Sequence, residues 1–181
     1  ADIEFINAVD PLYAPTLQGV EKVWTCASSW RPHKRLAENI RYFMEHSSKN
    51  DVLVIAGENP NVAVADPRIF YAGNLDYQTL IALYRASDYF LHLAWLDHCP
   101  NVVVDARAAG CHIICSSSGG TAEIAGENST IILEDEWDFQ PCELYKPPAM
   151  DFSKKIVGFN FCSVDIIDVA NEYDASLARV L

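Results

Sequence analysis

Short apolar runs alternate along this chain with segments in which apolar residues recur every three or four positions. Val23-Trp24-Thr25-Cys26, Asp51–Gly57 (DVLVIAG), Arg68–Gly73 (RIFYAG), Tyr89–Leu93, His112–Cys115 and Ser129–Leu133 read as buried strands. Between them, Leu36, Ile40, Phe43 and Met44 fall on one face of a helix from about Lys34 to Ser47, and Leu80, Ile81 and Tyr84 on one side of a helix over Tyr77–Ser87. Pro100 and Asn101 suit the first positions of a third helix, through Val102–Ala109, with Gly110 as its stop. Thr121–Ala125 reads as a short helical turn.

Strands that are apolar on both faces and alternate with helices predict a parallel sheet covered on both sides. This is an α/β domain of the Rossmann-like, doubly wound kind. Residues 19–160 form that domain. Residues 1–18 carry no helix or long strand pattern. The stretch 134–160, with acidic Glu134–Asp138 and the Pro147-Pro148 break, reads as a surface loop region with one short helix. A C-terminal helix is expected over 161–181, with Ile166, Val169, Ala170, Tyr173 and Leu177 on one stripe.

The 181 residues suffice for one domain with a sizeable core, and half of them are hydrophobic, so the chain is globular. A net charge of −12 argues against a nucleic-acid surface and against docking on anionic lipid. No apolar run reaches the length of a membrane span. The opening ADIEFINAVD lacks a basic region followed by an apolar core, as a secretory signal would have. Six cysteines (26, 99, 111, 115, 142, 162) show no Cys-x-x-Cys pairing and read as reduced thiols of a cytoplasmic protein. Zinc at Cys111, His112 and Cys115 is disfavoured, because the two thiols lie at opposite ends of a predicted strand.

Candidate chemistry concentrates in Leu96–Glu123, LDHCPNVVVDARAAGCHIICSSSGGTAE. Two carboxylates, Asp97 and Asp105, have seven residues between them, with a helix start among those seven. The free N–H groups at that start, those of Asn101 and Val102, and the helix dipole suit a phosphate. Asp105, about one turn in, can accept two hydrogen bonds from a ribose diol, and Asp97 can accept from hydroxyls beyond the phosphates. Gly119-Gly120 allows close backbone approach, with Glu123 following. Lys34, after the first strand, is a point charge able to reach a diphosphate, and Arg31 is a second cation. His92 reads as a core residue and His98 as a weak site candidate. Trp30 and Trp95 are close enough to stack on a base or sugar, with packing the simpler role.

These residues resemble the donor-site signature of family 4 glycosyltransferases of the GT-B fold. That signature has two Glu separated by seven residues, then Ala-x-Ala-x-Gly, an apolar strand and Gly-Gly-x-x-Glu. Here it reads Asp97, Asp105, Ala106-Arg107-Ala108-Ala109-Gly110, His112–Cys115 and Gly119-Gly120-Thr121-Ala122-Glu123. The resemblance extends over roughly residues 5–135. Both Glu positions hold Asp, which keeps the charge and shortens the reach by one methylene. Lys34 matches the Lys of the family's Gly-Arg-Leu-x-x-x-Lys segment, and Ser29 stands where its Arg would be. Gly57 and Glu58 match the loop that lies near the base, and Phe5–Asp10 resembles the segment entering the family's second domain.

The resemblance implies the C-terminal, donor-binding half of a retaining transferase that needs no metal and no cofactor. Its substrate would be a UDP- or GDP-linked sugar, bound by Asp105, Asn101, Val102, Gly119, Gly120, Glu123 and Gly57. Lys34, Arg31 and Asp97 would serve catalysis, and an N-terminal acceptor-binding domain would be the partner. The two Asp residues and Ser29 keep a second expectation open, a catalytically degenerate binding module. A nucleotide-sugar epimerase half of the same fold is a third. A dinucleotide dehydrogenase is disfavoured, since no Gly-x-Gly-x-x-Gly follows the first strand.

Overall fold

Every apolar run read as a strand forms one. A computed structural model of the chain describes residues 19–58 and 62–157, so the expected segment 1–18 and the expected helix 161–181 lie outside the described residues. The strands are β1 (Val23–Ala27), β2 (Val52–Ala56), β3 (Ile69–Gly73), β4 (Tyr89–His92), β5 (His112–Ser116), β6 (Ser129–Ile132) and β7 (Lys155–Val157). Helices α1 (Leu36–His46), α2 (Tyr77–Ala86), α3 (Asn101–Ala108) and α4 (Thr121–Ala125) alternate with them. The sheet order is β3-β2-β1-β4-β5-β6-β7. β1 to β6 are parallel, and β7 runs antiparallel to β6.

Strand residues alternate between two buried layers. Val23, Ala27, Val54, Phe90, Ile113 and Ile131 face Leu83 and Tyr84 of α2, Val103 and Ala106 of α3, and Ala122 and Ala125 of α4. Trp24, Cys26, Leu53, Ile55, Leu91 and Ile114 face Leu36, Ile40, Tyr42 and Phe43 of α1, together with Met150 and Phe152. Met44, expected on the buried stripe, is exposed, and Tyr42 takes that place. Tyr42 packs against Trp24 and Phe152, contacts an unbranched thioether would not replace as fully.

Three local results bear on the site. The helix expected from Lys34 begins at Leu36, because Pro32–Lys34 form a 3₁₀ turn and Arg35 adopts a left-handed backbone, φ 51°. At the other end of the domain's central helix, α3 closes as expected at Gly110, φ +98°. The Gly110 N–H bonds to Arg107 O at 3.0 Å and the Cys111 N–H to Ala106 O at 3.1 Å, the paired bonds of a Schellman stop. The region 134–154 contains no helix, correcting that expectation, and its continuation supplies β7. Three exposed residues are too few to show a period, and β7 is specified by pairing with distant β6.

The strand order reverses beside β1: the chain steps outward to β3, then returns to place β4 on the other side of β1. In open parallel sheets, ligands bind beyond the strands' C-terminal ends at this switch. The segments after β1 and β4 hold Lys34 and Asp97.

Candidate functional site

The segment after β1 holds its cations by backbone bonds. Lys34 N–H bonds to Arg31 O at 2.9 Å and Arg35 N–H to Pro32 O at 3.0 Å. Trp30 is buried, with Nε1 donating to Ala56 O at 3.0 Å, and it also borders the cleft described below. The Trp95 N–H donates to His33 O at 2.7 Å and joins this segment to the loop after β4.

That loop brings Asp97 to Lys34. Lys34 Nζ donates to Asp97 Oδ2, and both side chains are largely buried. His92, the last residue of β4, approaches the same oxygen, Nε2 to Oδ2 2.8 Å. An ionised carboxylate only accepts, so Nε2 carries the proton. Burial works to raise the Asp97 carboxyl, but the bonds and charges of His92 and Lys34 outweigh it and hold it well below the usual carboxylate range. Burial lowers His92 against the pull of Asp97, keeping the imidazole neutral at pH 7. His33, beside Lys34, is lowered by burial and then by the Lys34 charge. Its Nδ1 is buried without a hydrogen-bond partner among the described residues.

The backbone of Asp97 is equally fixed. It accepts bonds from the Gly120 N–H at 3.0 Å and Thr121 Oγ1 at 3.3 Å, and it forms an isolated bridge with Gly119. A Cβ on Gly119 would lie 2.5 Å from Asp97 O, and one on Gly120 2.1 Å from His98 O. The two glycines are therefore needed where the loop after β5 crosses the loop after β4. His98 itself is exposed.

An open cleft of about 440 Å³ lies at the same rim. Ser28, Ser29 and Arg31 after β1, Gly57 and Glu58 after β2, and Asn74 and Leu75 after β3 line it, with Val102 of α3. The N–H groups of Asn101 and Val102 make no hydrogen bond among the described residues, since the first bonds to Pro100 O come from Val103 and Val104. Gly57 has φ +117°, and a Cβ there would lie 1.9 Å from Ser28 O, so this wall of the cleft requires glycine.

The structure thus collects Arg31, Gly57, Glu58 and Val102 in one cleft, and Lys34, Asp97, Gly119 and Gly120 in one contact network. Asp105 is partly exposed on α3, three and four residues beyond Val102 and Asn101 and so on their face. Its charge, after burial, pushes the Tyr84 phenol up. Glu123 is exposed in the first turn of α4. Neither Asp105 nor Glu123 lines the cleft. Sequence reasoning missed His92, which ends its strand rather than sitting mid-core, and Asn74 and Leu75, whose signal was their position directly after β3.

Among the described residues all five cysteines are free, with Cys26, Cys111 and Cys115 buried and Cys99 and Cys142 exposed. Cys111 is buried with its thiol on Tyr84 O at 3.0 Å, and burial pushes it and Cys115 up to about 12. His112 bonds to Asn128 and Thr130. Among the described residues no group of three His, Cys, Asp or Glu side chains is gathered as a metal site. No described helix is long and apolar enough to cross a membrane.

A sequence profile described as "Glycosyl transferases group 1" matches residues 21–140, spanning β1 to the segment after β6. The chain belongs to the group 1 glycosyl transferases. No curated protein matches the sequence closely enough to serve as a relative. Among solved structures, the fold is similar to Anabaena HepE in complex with UDP-glucose, at 15% identity and TM-score 0.52, covering 68% of this chain and 38% of that one. A Burkholderia xenovorans α,α-trehalose-phosphate synthase (UDP-forming), in complex with glucose-6-phosphate, aligns at 16% identity and TM-score 0.53, over 70% of this chain and 37% of that one. Sucrose-phosphate synthase from Thermosynechococcus elongatus aligns at 16% identity and TM-score 0.50, over 75% and 38%. The chain therefore spans well under half the length of these proteins, and at such identities the likeness is one of fold. It shows the Rossmann-like α/β fold found in GT-B glycosyltransferase structures.

Proposed function

We propose that this chain is the nucleotide-sugar-binding domain of a retaining, metal-independent glycosyltransferase. The observation that carries the proposal is the cleft at the switch point, bounded by the start of α3 on one side and by Arg31, Gly57 and Glu58 on the other. A base enters beside Gly57, Glu58, Asn74 and Leu75. The diphosphate lies against the Asn101 and Val102 N–H groups, with Arg31 and Lys34 as counter-charges. Asp105 takes the ribose diol and Asp97 the sugar, next to the Gly119-Gly120 loop and Glu123. Two cations and an oriented helix start supply the preorganised field that a departing nucleoside diphosphate requires. The UDP-glucose bound by HepE is compatible with this reading.

Ser29 lines the cleft where the family's Arg would stand, which is the observation behind the reading as a degenerate module. Arg31 lines the same cleft two residues later, so a guanidinium remains available. We therefore favour an active transferase whose acceptor site belongs to a further, N-terminal domain that closes over this one.

Calorimetric titration with UDP, GDP and their sugar conjugates tests the proposal. Binding is expected to survive EDTA and to be lost in Asp105→Ala. Absence of binding, or full affinity in that variant, overturns the donor-site reading. Sugar transfer by the 181-residue chain alone overturns the half-enzyme reading.

A further inference from the structure

Lys34 and His92 both bond to Oδ2 of Asp97. Among the described residues Oδ1 accepts no hydrogen bond, and the carboxylate stands at the switch point beside the cleft. The backbone of Asp97 is separately pinned by Gly120 and Thr121. Its side-chain direction therefore depends on two donors with different freedom. Lys34 is a flexible ammonium, and in the donor-site reading it is drawn toward a diphosphate. His92 is a short, rigid ring, 5% exposed, parallel to Phe90 at 6.4 Å between centroids.

We infer that His92 is a positioning residue that holds Oδ2 of Asp97 while Lys34 turns to the diphosphate, keeping Oδ1 aimed at a hydroxyl of the transferred sugar. The inference rests on the donor-site reading. Its physical content is a division of labour. A neutral imidazole fixes direction without adding charge, so the ammonium stays free to neutralise phosphate. Once Lys34 leaves, Asp97 would otherwise swing freely and lose the preorganisation that makes a charged acceptor selective. Among the described residues, the charged and titratable groups acting on the pair are Lys34 and His33, both on the segment after β1, and Arg31 in turn acts on His33.

The test uses the full chain with UDP, UDP-glucose, GDP and GDP-mannose. In His92→Phe, the affinity for the sugar nucleotide relative to its bare diphosphate is expected to fall at least about tenfold, the worth of a hydrogen bond to a charged group. His92→Gln, which keeps a donor near the Nε2 position, is expected to restore most of that ratio. An unchanged ratio in His92→Phe, or a Gln variant as impaired as the Phe variant, overturns the inference. Two ligand-free spectra stand apart from the donor-site reading. In the wild type, imidazole ¹⁵N shifts are expected to show neutral His92 as the Nε2–H tautomer at pH 7–8. The Asp97 carboxyl, followed by ¹³C, should titrate at higher pH in His92→Phe than in wild type. A wild type that binds no nucleotide defeats the donor-site reading, while a His92 carrying its proton on Nδ1 alone, or an unmoved Asp97 titration, defeats the His92–Asp97 contact itself.

Discussion

Lys34 and Arg35 are neighbours in the chain, and each pairs with one acid, yet the structure gives them opposite surroundings. Arg35 is 1% exposed and Glu134 9%. The guanidinium meets the carboxylate through two bonds, 2.8 and 2.7 Å, and donates a third to Pro148 O at 2.9 Å. Ser116 also donates to Glu134. Lys34 makes one ionic contact, to Asp97, with the two side chains 17% and 15% exposed. The first pair is sealed by burial, with only the Arg35 Nε left without a hydrogen-bond partner among the described residues, so nothing from solution can compete for it. Among the described residues the second leaves one carboxylate oxygen unused, and in the donor-site reading its ammonium is drawn to a ligand phosphate. Desolvation makes the difference: a fully buried pair is held because separating it would strand a charge, whereas a partly wet pair can exchange partners at modest cost.

The comparison breaks first at Arg35. Replacing it by Met, or Glu134 by Leu, leaves the other charge buried, and urea denaturation should show a loss of about 3–5 kcal/mol. The double variant should lose far less than the sum of the singles. Singles that cost less than about 1 kcal/mol would show that the pair is not sealed. Lys34→Met should do the reverse. We expect a stability loss smaller than that of Arg35→Met, since His92 still bonds to Asp97, and at least a tenfold weaker nucleotide affinity by calorimetry. A stability loss rivalling that of Arg35→Met would erase the distinction.

The smallest effect appears only in acid. The folded-state pKa of Asp97 lies below the ordinary carboxylate value of about 3.9, so its ionic contacts contribute stability above that value and lose it as pH falls through the folded pKa. The stability difference between wild type and Asp97→Asn should therefore be constant from pH 7 to about 5 and shrink below about pH 4. A difference that grows in acid would contradict the Lys34 and His92 contacts.

Much of this was legible beforehand, for local reasons. Strands two-sided in their apolarity announced a parallel sheet, and Gly110 marked the end of α3 because only glycine enters that stop without strain. Asp97, Lys34 and the Gly119-Gly120 pair were recognisable by residue type and spacing. The start of α1 was misplaced because Arg35 takes a left-handed backbone while its guanidinium is committed to Glu134, 99 residues away. Met44 was misplaced because a helical stripe identifies a face but does not decide which residue at its border finds partners. The strand β7 was missed because three residues carry no period.

His92 shows where local reading stops. A histidine at a strand's end looks like any core histidine until the loop after β4 folds back and sets Asp97 against it. The chain by itself determined the α/β order, the helix stops and the acidic pair, since these depend on each residue's own conformational preferences and near neighbours. The tertiary structure alone decided that Lys34, His92 and Asp97 share one carboxylate oxygen, that Gly119 and Gly120 serve a loop crossing, and that Arg35 is sealed away. Those outcomes depend on burial and on distances between residues far apart in sequence. Charge strength and hydrogen-bond geometry follow from those distances, and spacing along the chain does not encode them.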